Sequence, residues 1–202
     1  MLLALHVFEP RYRLMMDEVL RGGQSICMAL LKPGWEADYY GTPEVYPVAC
    51  VGKVVQHQML ADGRYKLTLH GEYKVTIESF ERDYPFRIAR TRRLAEVDDW
   101  ARDEASERQA RELLSLFRRF QEGQRTALDV AEYLGAHMGS EAILNTIAMN
   151  LKAEPAVRQN LLEMERTELR YQAVRQILAE ATAIQDLLDR DRHRIPADRR
   201  VN

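Results

Sequence analysis

The hydrophobic pattern of this chain changes its period near Glu96, and this change constrains the fold more than any other feature. Before Glu96, short apolar runs are divided by Gly, Pro and Asp, which is typical of strands and turns. After it, apolar residues recur at helical spacing and only Pro155 and Pro196 remain among the prolines. The sequence therefore predicts an α+β protein, with a β-barrel subdomain over 1–97 and an α-helical bundle subdomain over 98–188.

The first part is predicted to hold five or six short strands and one helix. The helix begins at Pro10, which suits a first helical position, and ends at Gly22-Gly23. Asp62-Gly63 indicates a hairpin turn, and Gly71-Glu72 is expected to make the next turn. The predicted strands are 2–8, 25–31, 45–60 with a bend at Gly52, 64–70, one around 75–77, and 84–94. Strands at this spacing favour a closed or strongly coiled sheet.

The second part is predicted to form four or five helices. The expected helices are 99–121, 126–135 with Thr126 as N-cap, one capped by Ser140, one starting at Pro155, and 168–188. The expected apolar stripe of the last helix is Leu169, Ala173, Ile177, Ile184 and Leu188. The charged segment 189–202 is predicted to be a disordered tail.

Composition excludes several functional classes. Lys and Arg number 29 and Asp and Glu 31, so the net charge of -2 argues against a strongly basic nucleic-acid wrapper. Two cysteines exclude a disulfide framework. The sequence has no apolar run near 18 residues and no signal-peptide pattern, so we expect a cytoplasmic protein without a membrane partner.

Catalytic motifs are missing. The sequence contains neither a Gly-x-x-x-x-Gly-Lys-Ser/Thr phosphate loop nor a Gly-x-Ser-x-Gly elbow. Cys50 and His57 on one strand could form a Cys–His pair, with His70 across the hairpin, but free cysteines in apolar strands are more often core residues. We therefore expect no enzyme, no cofactor and no metal.

Two segments are candidate binding surfaces. Trp35, Tyr39 and Tyr40 lie in a loop bounded by Gly and Pro, where they form either a local minicore or a patch that anchors a peptide. A basic cluster follows in the β-rich part and could meet nucleic acid, or could simply be a solvated strand edge. The cluster consists of Arg87, Arg90, Arg92 and Arg93.

One long motif carries a family resemblance. The run Leu5-His6-Val7-Phe8-Glu9-Pro10-Arg11-Tyr12-Arg13-Leu14-Met15 resembles the signature of the N-terminal, substrate-binding domain of Lon protease. Gln159-Asn160-Leu161-Leu162-Glu163 and Arg170 are similar to its helical part. The resemblance covers residues 3 to 188. Glu9 and Arg11, which flank a helix start, are interpreted as structural, with Phe8 and Tyr12 clamping that helix to the barrel.

The resemblance implies a PUA-like coiled β-barrel followed by a helical bundle. It also implies a non-catalytic module that binds unfolded or degron-bearing polypeptides, here without the ATPase and peptidase domains. An RNA-binding PUA-like protein is the alternative. The family usually starts with a further apolar strand and a Pro-Gly turn before the segment that begins at Leu5. Either the true reading frame starts upstream of Met1, or the sheet has an open edge that a partner strand or a second copy could fill, the latter giving a homodimer.

Overall fold

A computed structural model describes residues 1–95, 104–122, 135 and 138–194. The chain forms two compact units, Met1–Ala95 and Glu96–Asn202. The first contains β1 (Leu2–Val7), α1 (Pro10–Arg21), β2 (Ser25–Met28), a 3-10 turn (Trp35–Asp38), β3 (Val48–Met59), β4 (Tyr65–Arg82) and β5 (Ile88–Arg93). The second contains α2 (Glu104–Glu122), α3 (Ser140–Asn150), α4 (Pro155–Glu163) and α5 (Thr167–Arg194). The predicted α+β class is confirmed.

The five strands form one antiparallel sheet in the order β1-β4-β3-β2, and β5 also pairs with β4. The β3–β4 hairpin turns at Gly63, whose φ of 76° lies in the left-handed region that glycine tolerates best. Within the described residues, β2 pairs only with β3 and β5 only with β4. The expected barrel is therefore not closed in this part of the chain.

The predicted turn at Gly71-Glu72 is wrong, because β4 runs without a break through both residues. In the β3–β4 register Val51 faces Tyr73 and Gly52 faces Gly71, which leaves Glu72 as an extra residue on β4. This arrangement is a β-bulge. A bulge and a turn favour the same residue types, so the sequence pattern did not separate them.

The helix α1 covers one face of the sheet. Met16 is fully buried and packs with a cluster formed by Ile26, Val54, Tyr65, Leu67 and Leu69. The Tyr65 hydroxyl donates a hydrogen bond of 2.9 Å to Asp17 and so joins β4 to the helix. The predicted clamp by Phe8 and Tyr12 is not found, since both side chains are exposed, Phe8 to 60%. The helix is held by Met16 instead.

The helical unit has its own core, in which α2, α3 and α5 pack around Leu113, Phe117, Leu144, Ile147, Val174 and Leu178. The predicted apolar stripe of α5 is out of phase, because Leu169, Ile184 and Leu188 are exposed. Three polar residues lie on the buried face of α5, namely Thr167, Arg170 and Thr182. The spacing of the apolar residues alone therefore did not show which face of this helix is buried.

Three other helix predictions have different outcomes. Gly139, not Ser140, occupies the N-cap of α3, and Ser140 is its first helical residue. The α5 backbone continues to Arg194, so the first six residues of the expected tail are helical. The predicted Thr126 cap and the segment 195–202 lie outside the described residues.

Candidate functional site

A cleft of about 1020 Å³ opens in the unit Met1–Ala95. Its walls come from α1, from β2, from the loop 39–45 and from the end of β4 with the connection to β5. Its floor is apolar and includes Cys27, Ala29, Val51, Tyr73 and Ile77. This volume lies at the upper end of the range for ligand pockets, so the cleft has room for a peptide segment.

The floor belongs to a small and incompletely covered core. Ala49, Val51 and Val75 are buried there, whereas Cys27 and Tyr73 are only partly buried. Partly buried apolar side chains at the bottom of a cleft gain free energy when another apolar group covers them. The cleft therefore favours an apolar occupant.

The helix-start signature holds the aromatic loop in place. Glu9 accepts a hydrogen bond of 2.6 Å from the Tyr39 hydroxyl and forms an ion pair of 3.0 Å with Arg11. The Arg11 guanidinium also donates to the Tyr39 carbonyl at 3.2 Å and lies 5.0 Å from the centre of the Tyr39 ring. The hydrogen bond to Glu9, and then burial, raise the pKa of the Tyr39 hydroxyl.

The three predicted aromatic residues have different positions. Tyr39 and Tyr40 line the cleft, and Tyr40 is 87% exposed. Trp35 packs against Tyr39 with ring centres 5.4 Å apart, behind the residues that line the cleft. Trp35 and Tyr39 thus pack together, as the minicore alternative predicts, whereas Tyr40 is exposed and its role in anchoring a peptide stays a prediction.

The opposite rim is aromatic as well, which the sequence analysis missed. Tyr84 is 84% exposed, and Phe80 and Phe86 line the same wall. Arg87 lies 4.7 Å from the Phe80 ring centre, and Arg82 lies 4.2 Å from that of Phe86. The sequence signal for this rim was Tyr84-Pro85-Phe86, a run of two aromatic residues and a proline in the connection between β4 and β5.

Among the residues that the structure describes, five charged side chains line the cleft, and each of them is paired with an opposite charge. Glu9 pairs with Arg11, as described above. Glu18 accepts two hydrogen bonds, of 3.1 and 3.0 Å, from Arg82. Asp83 lies 3.7 Å from Arg87. Because these charges neutralise one another, the cleft suits a segment without net charge.

The predicted arginine cluster is paired within the sheet. Arg90 bonds to Glu81 at 2.9 Å and Arg92 to Glu78 at 3.0 Å. The Arg93 guanidinium lies 4.6 Å from the centre of the Tyr73 ring, and Arg87 pairs with Asp83. Carboxylates beside these arginines weaken attraction to a phosphate backbone. The arrangement therefore gives the RNA alternative no support.

The structure does not assemble a Cys–His pair. His57 faces Leu67 and His70 faces Lys53 across the β3–β4 ladder, whereas Cys50 lies at the other end of β3 and faces Lys74. Burial, and then the neighbouring Cys50, raise the pKa of the Cys27 thiol to about 11. A thiol with this pKa is protonated near neutral pH and is a poor nucleophile.

The helical residues of the resemblance are structural. Arg170 is buried and donates to Asn145 at 2.7 Å and to the Met164 carbonyl at 3.2 Å. Gln159 is buried and donates to Glu163 at 2.9 Å. The Arg170 bonds join α5 to α3 and to the end of α4, and the Gln159 bond lies within α4, so this part of the motif supports the fold of the helical unit.

Residues 1–95, 104–122, 135 and 138–194 contain no group of three or more His, Cys, Asp or Glu side chains that could hold a metal ion. No helix in the same ranges combines the length and the apolar character that a membrane span requires.

Residues 1–180 match the family model of the ATP-dependent protease La (LON) substrate-binding domain. A Lon protease from Trichlorobacter lovleyi is 30% identical over 166 residues, which are 81% of this chain and 20% of that protein. The chain thus spans about a fifth of the length of this relative.

Two solved structures have a similar fold. One is the N-terminal domain of the Mycobacterium avium complex Lon protease, with a TM-score of 0.66, 13% identity, and 89% of this chain and 90% of that chain covered. The other is a Lon N-terminal domain protein from Xanthomonas campestris, with a TM-score of 0.60, 18% identity, and 89% of each chain covered.

Proposed function

Since this chain belongs to the family of ATP-dependent protease La (LON) substrate-binding domains, we propose that its cleft binds apolar segments of unfolded or degron-bearing polypeptides. The cleft itself is the observation that carries this proposal, because it combines an apolar floor, two aromatic rims and paired charges. Exposed tyrosines are favoured anchors for protein partners because they bury a large area with few rotatable bonds.

The proposal assigns the binding role to Tyr40 and Tyr84, with Tyr39 contributing its ring and Trp35 supporting it. It assigns no catalytic step to the chain, in keeping with the missing phosphate loop and the protonated Cys27 thiol. A cytoplasmic location is part of the same proposal and fits the two free cysteines.

The test measures the affinity for a fluorescein-labelled peptide of about ten residues, in which apolar and uncharged polar residues alternate. Tyr40→Ala and Tyr84→Ala are each expected to weaken binding about tenfold, the usual effect of truncating an aromatic anchor. Val55→Ala is the matched control, because Val55 is an exposed apolar residue of β3 outside the cleft lining. Equal affinities of the wild type and both tyrosine variants would exclude the cleft.

The free edge of β1 supports a second proposal, a homodimer. Within the described residues β1 pairs with β4 alone, and Leu2 is 61% exposed. A charge-free edge strand of this kind can pair with its copy. Sedimentation should show a dimer that Leu3→Lys, on the same strand, converts to a monomer. A wild-type monomer at all tested concentrations rejects the proposal.

A further inference from the structure

The cleft lies along the outer edge of β2. Ser25, Ile26 and Cys27 all line it, although successive residues of a strand point to opposite faces of the sheet. A cavity that reaches three successive residues therefore runs beside the backbone of the strand. The edge of β5 meets the same cleft through Ile88 and Ala89.

Hydrogen bonds fix which backbone groups of β2 face the cleft. The Val54 amide donates to the Gln24 carbonyl at 2.7 Å, and the Tyr46 amide donates to the Leu30 carbonyl at 2.9 Å. In an antiparallel pair such bonds fall on alternate residues, so Ile26 and Met28 also bond toward β3. The amide and carbonyl groups of Ser25 and Cys27 consequently point away from β3, toward the cleft.

The edges of β2 and β5, which both meet the cleft, differ in charge. Of these two edges, only that of β2 is suited to pairing with a further strand. The β5 edge carries Arg90 and Arg92, and charged side chains on an edge oppose strand pairing. The β2 sequence, Ser-Ile-Cys-Met, contains no charged residue. The paired charges at the rim of the cleft likewise leave nothing that demands a charged occupant.

We propose that a polypeptide segment binds in this cleft as an added β-strand on the edge of β2. Its backbone bonds to the amide and carbonyl groups of Ser25 and Cys27, and its alternate apolar side chains cover Cys27 and Ala29, which are only partly buried. Backbone pairing explains how one cleft accepts many sequences, because the main chain is common to all of them. This inference rests on the proposed function and adds the conformation of the ligand.

The test uses the labelled peptide described above and two N-methylated forms, with methyl groups on one or the other set of alternate amides. In an added strand, alternate amide groups of the peptide point toward β2, and the remaining amide groups point away from it. One methylated form should therefore bind about tenfold more weakly than the parent peptide, and the other within about twofold.

Equal effects of the two methylated forms overturn strand addition. The proposed function survives that result if Tyr40→Ala still weakens binding of the parent peptide, so the two failures are distinguishable. If the wild-type protein binds no peptide but dimerises through the β2 edge, the occupant is a second copy and the inference is also wrong.

A variant pair tests the same edge from the protein side. Cys27→Pro removes the outward amide and leaves the bonds between β2 and β3 in place, since edge strands tolerate proline at such positions. We expect it to weaken binding about tenfold, whereas Val55→Ala, at an exposed residue outside the cleft lining, should leave the affinity unchanged. Unchanged affinity of a folded Cys27→Pro protein contradicts the proposal. If this variant does not fold, the methylated peptides still decide.

Discussion

Glu9 connects the start of α1 to the aromatic loop, and through that connection it shapes the cleft. Its carboxylate takes part in the ion pair with Arg11 and in the hydrogen bond from Tyr39, and both ionic side chains are mostly buried. Hydrogen bonds to a charged group contribute more than neutral ones. The signature residues Glu9 and Arg11 therefore hold in place the loop that carries Tyr40.

Removing the Tyr39 hydroxyl tests how much its hydrogen bond to Glu9 contributes to the stability of the protein. Tyr39→Phe is expected to lower the free energy of unfolding by about 1 to 2 kcal/mol, because the ring stays and only the bond to Glu9 is lost. Denaturant unfolding of Tyr39→Phe, Glu9→Gln and the double variant measures the coupling. The loss of unfolding free energy in the double variant should differ from the sum of the two single-variant losses by at least about 0.5 kcal/mol. Strict additivity would show that the bond carries no coupling free energy.

At the scale of elements, local signals predicted some features well and others poorly. Pro10 marked the start of α1, and the bend expected at Gly52 coincides with a register shift of β3. The bulge at Glu72 and the phase of α5 depend on pairing partners distant in sequence. Arg170 illustrates the second case, since a buried arginine needs hydrogen-bond partners, and those of Arg170 include Asn145 and Met164, which are distant from it or outside its helix.

Gly52 allows the close approach of β3 and β4 at the bulge. A Cβ atom at this position would lie 3.2 Å from the His70 carbonyl oxygen and 3.4 Å from Leu69 Cβ. Gly52→Ala should therefore lower the free energy of unfolding by about 1 to 3 kcal/mol, as overpacking does. Gly23→Ala is the control, because a Cβ atom there meets nothing within 4 Å. Denaturant unfolding should separate the two variants, and equal stabilities would contradict this account of the bulge.

The contact between α2 and α5 should make the stability of the protein depend on pH. Hydrogen bonds from Arg175 and then from Tyr171 lower the pKa of Glu112 below its ordinary value of 4.5. A lowered pKa in the folded state stabilises the protein above the ordinary value, and this stabilisation is lost as the pH falls through the lowered pKa.

Glu112→Gln should accordingly lower the Tm by about 2 to 4 °C at pH 7, a small effect because the ion pair is half exposed. The difference in Tm between wild type and variant should shrink as the pH falls below 4.5. Thermal unfolding at a series of pH values measures it. A difference that stays constant down to the acid range would show that Glu112 acts through packing alone.

At the scale of the whole molecule, the sequence predicted two kinds of structure but not the cleft. The cleft is assembled from segments that are separated along the chain, from Glu9 to Thr91, and no local pattern records that they meet. The aromatic loop was the candidate peptide-binding segment identified beforehand, because its composition is unusual by itself, whereas Arg87 had been considered only for nucleic acid. Tyr84 became a candidate once the fold placed it on the opposite rim.

The most direct test maps the bound peptide on the protein by NMR. Backbone amide shifts of the isotope-labelled chain are followed during titration with the alternating apolar peptide described above. We expect the largest shifts at Ser25, Cys27, Tyr40 and Tyr84, which surround the cleft. Shifts confined to the helical unit, or none at saturating peptide, would contradict the claim that the cleft is the binding site.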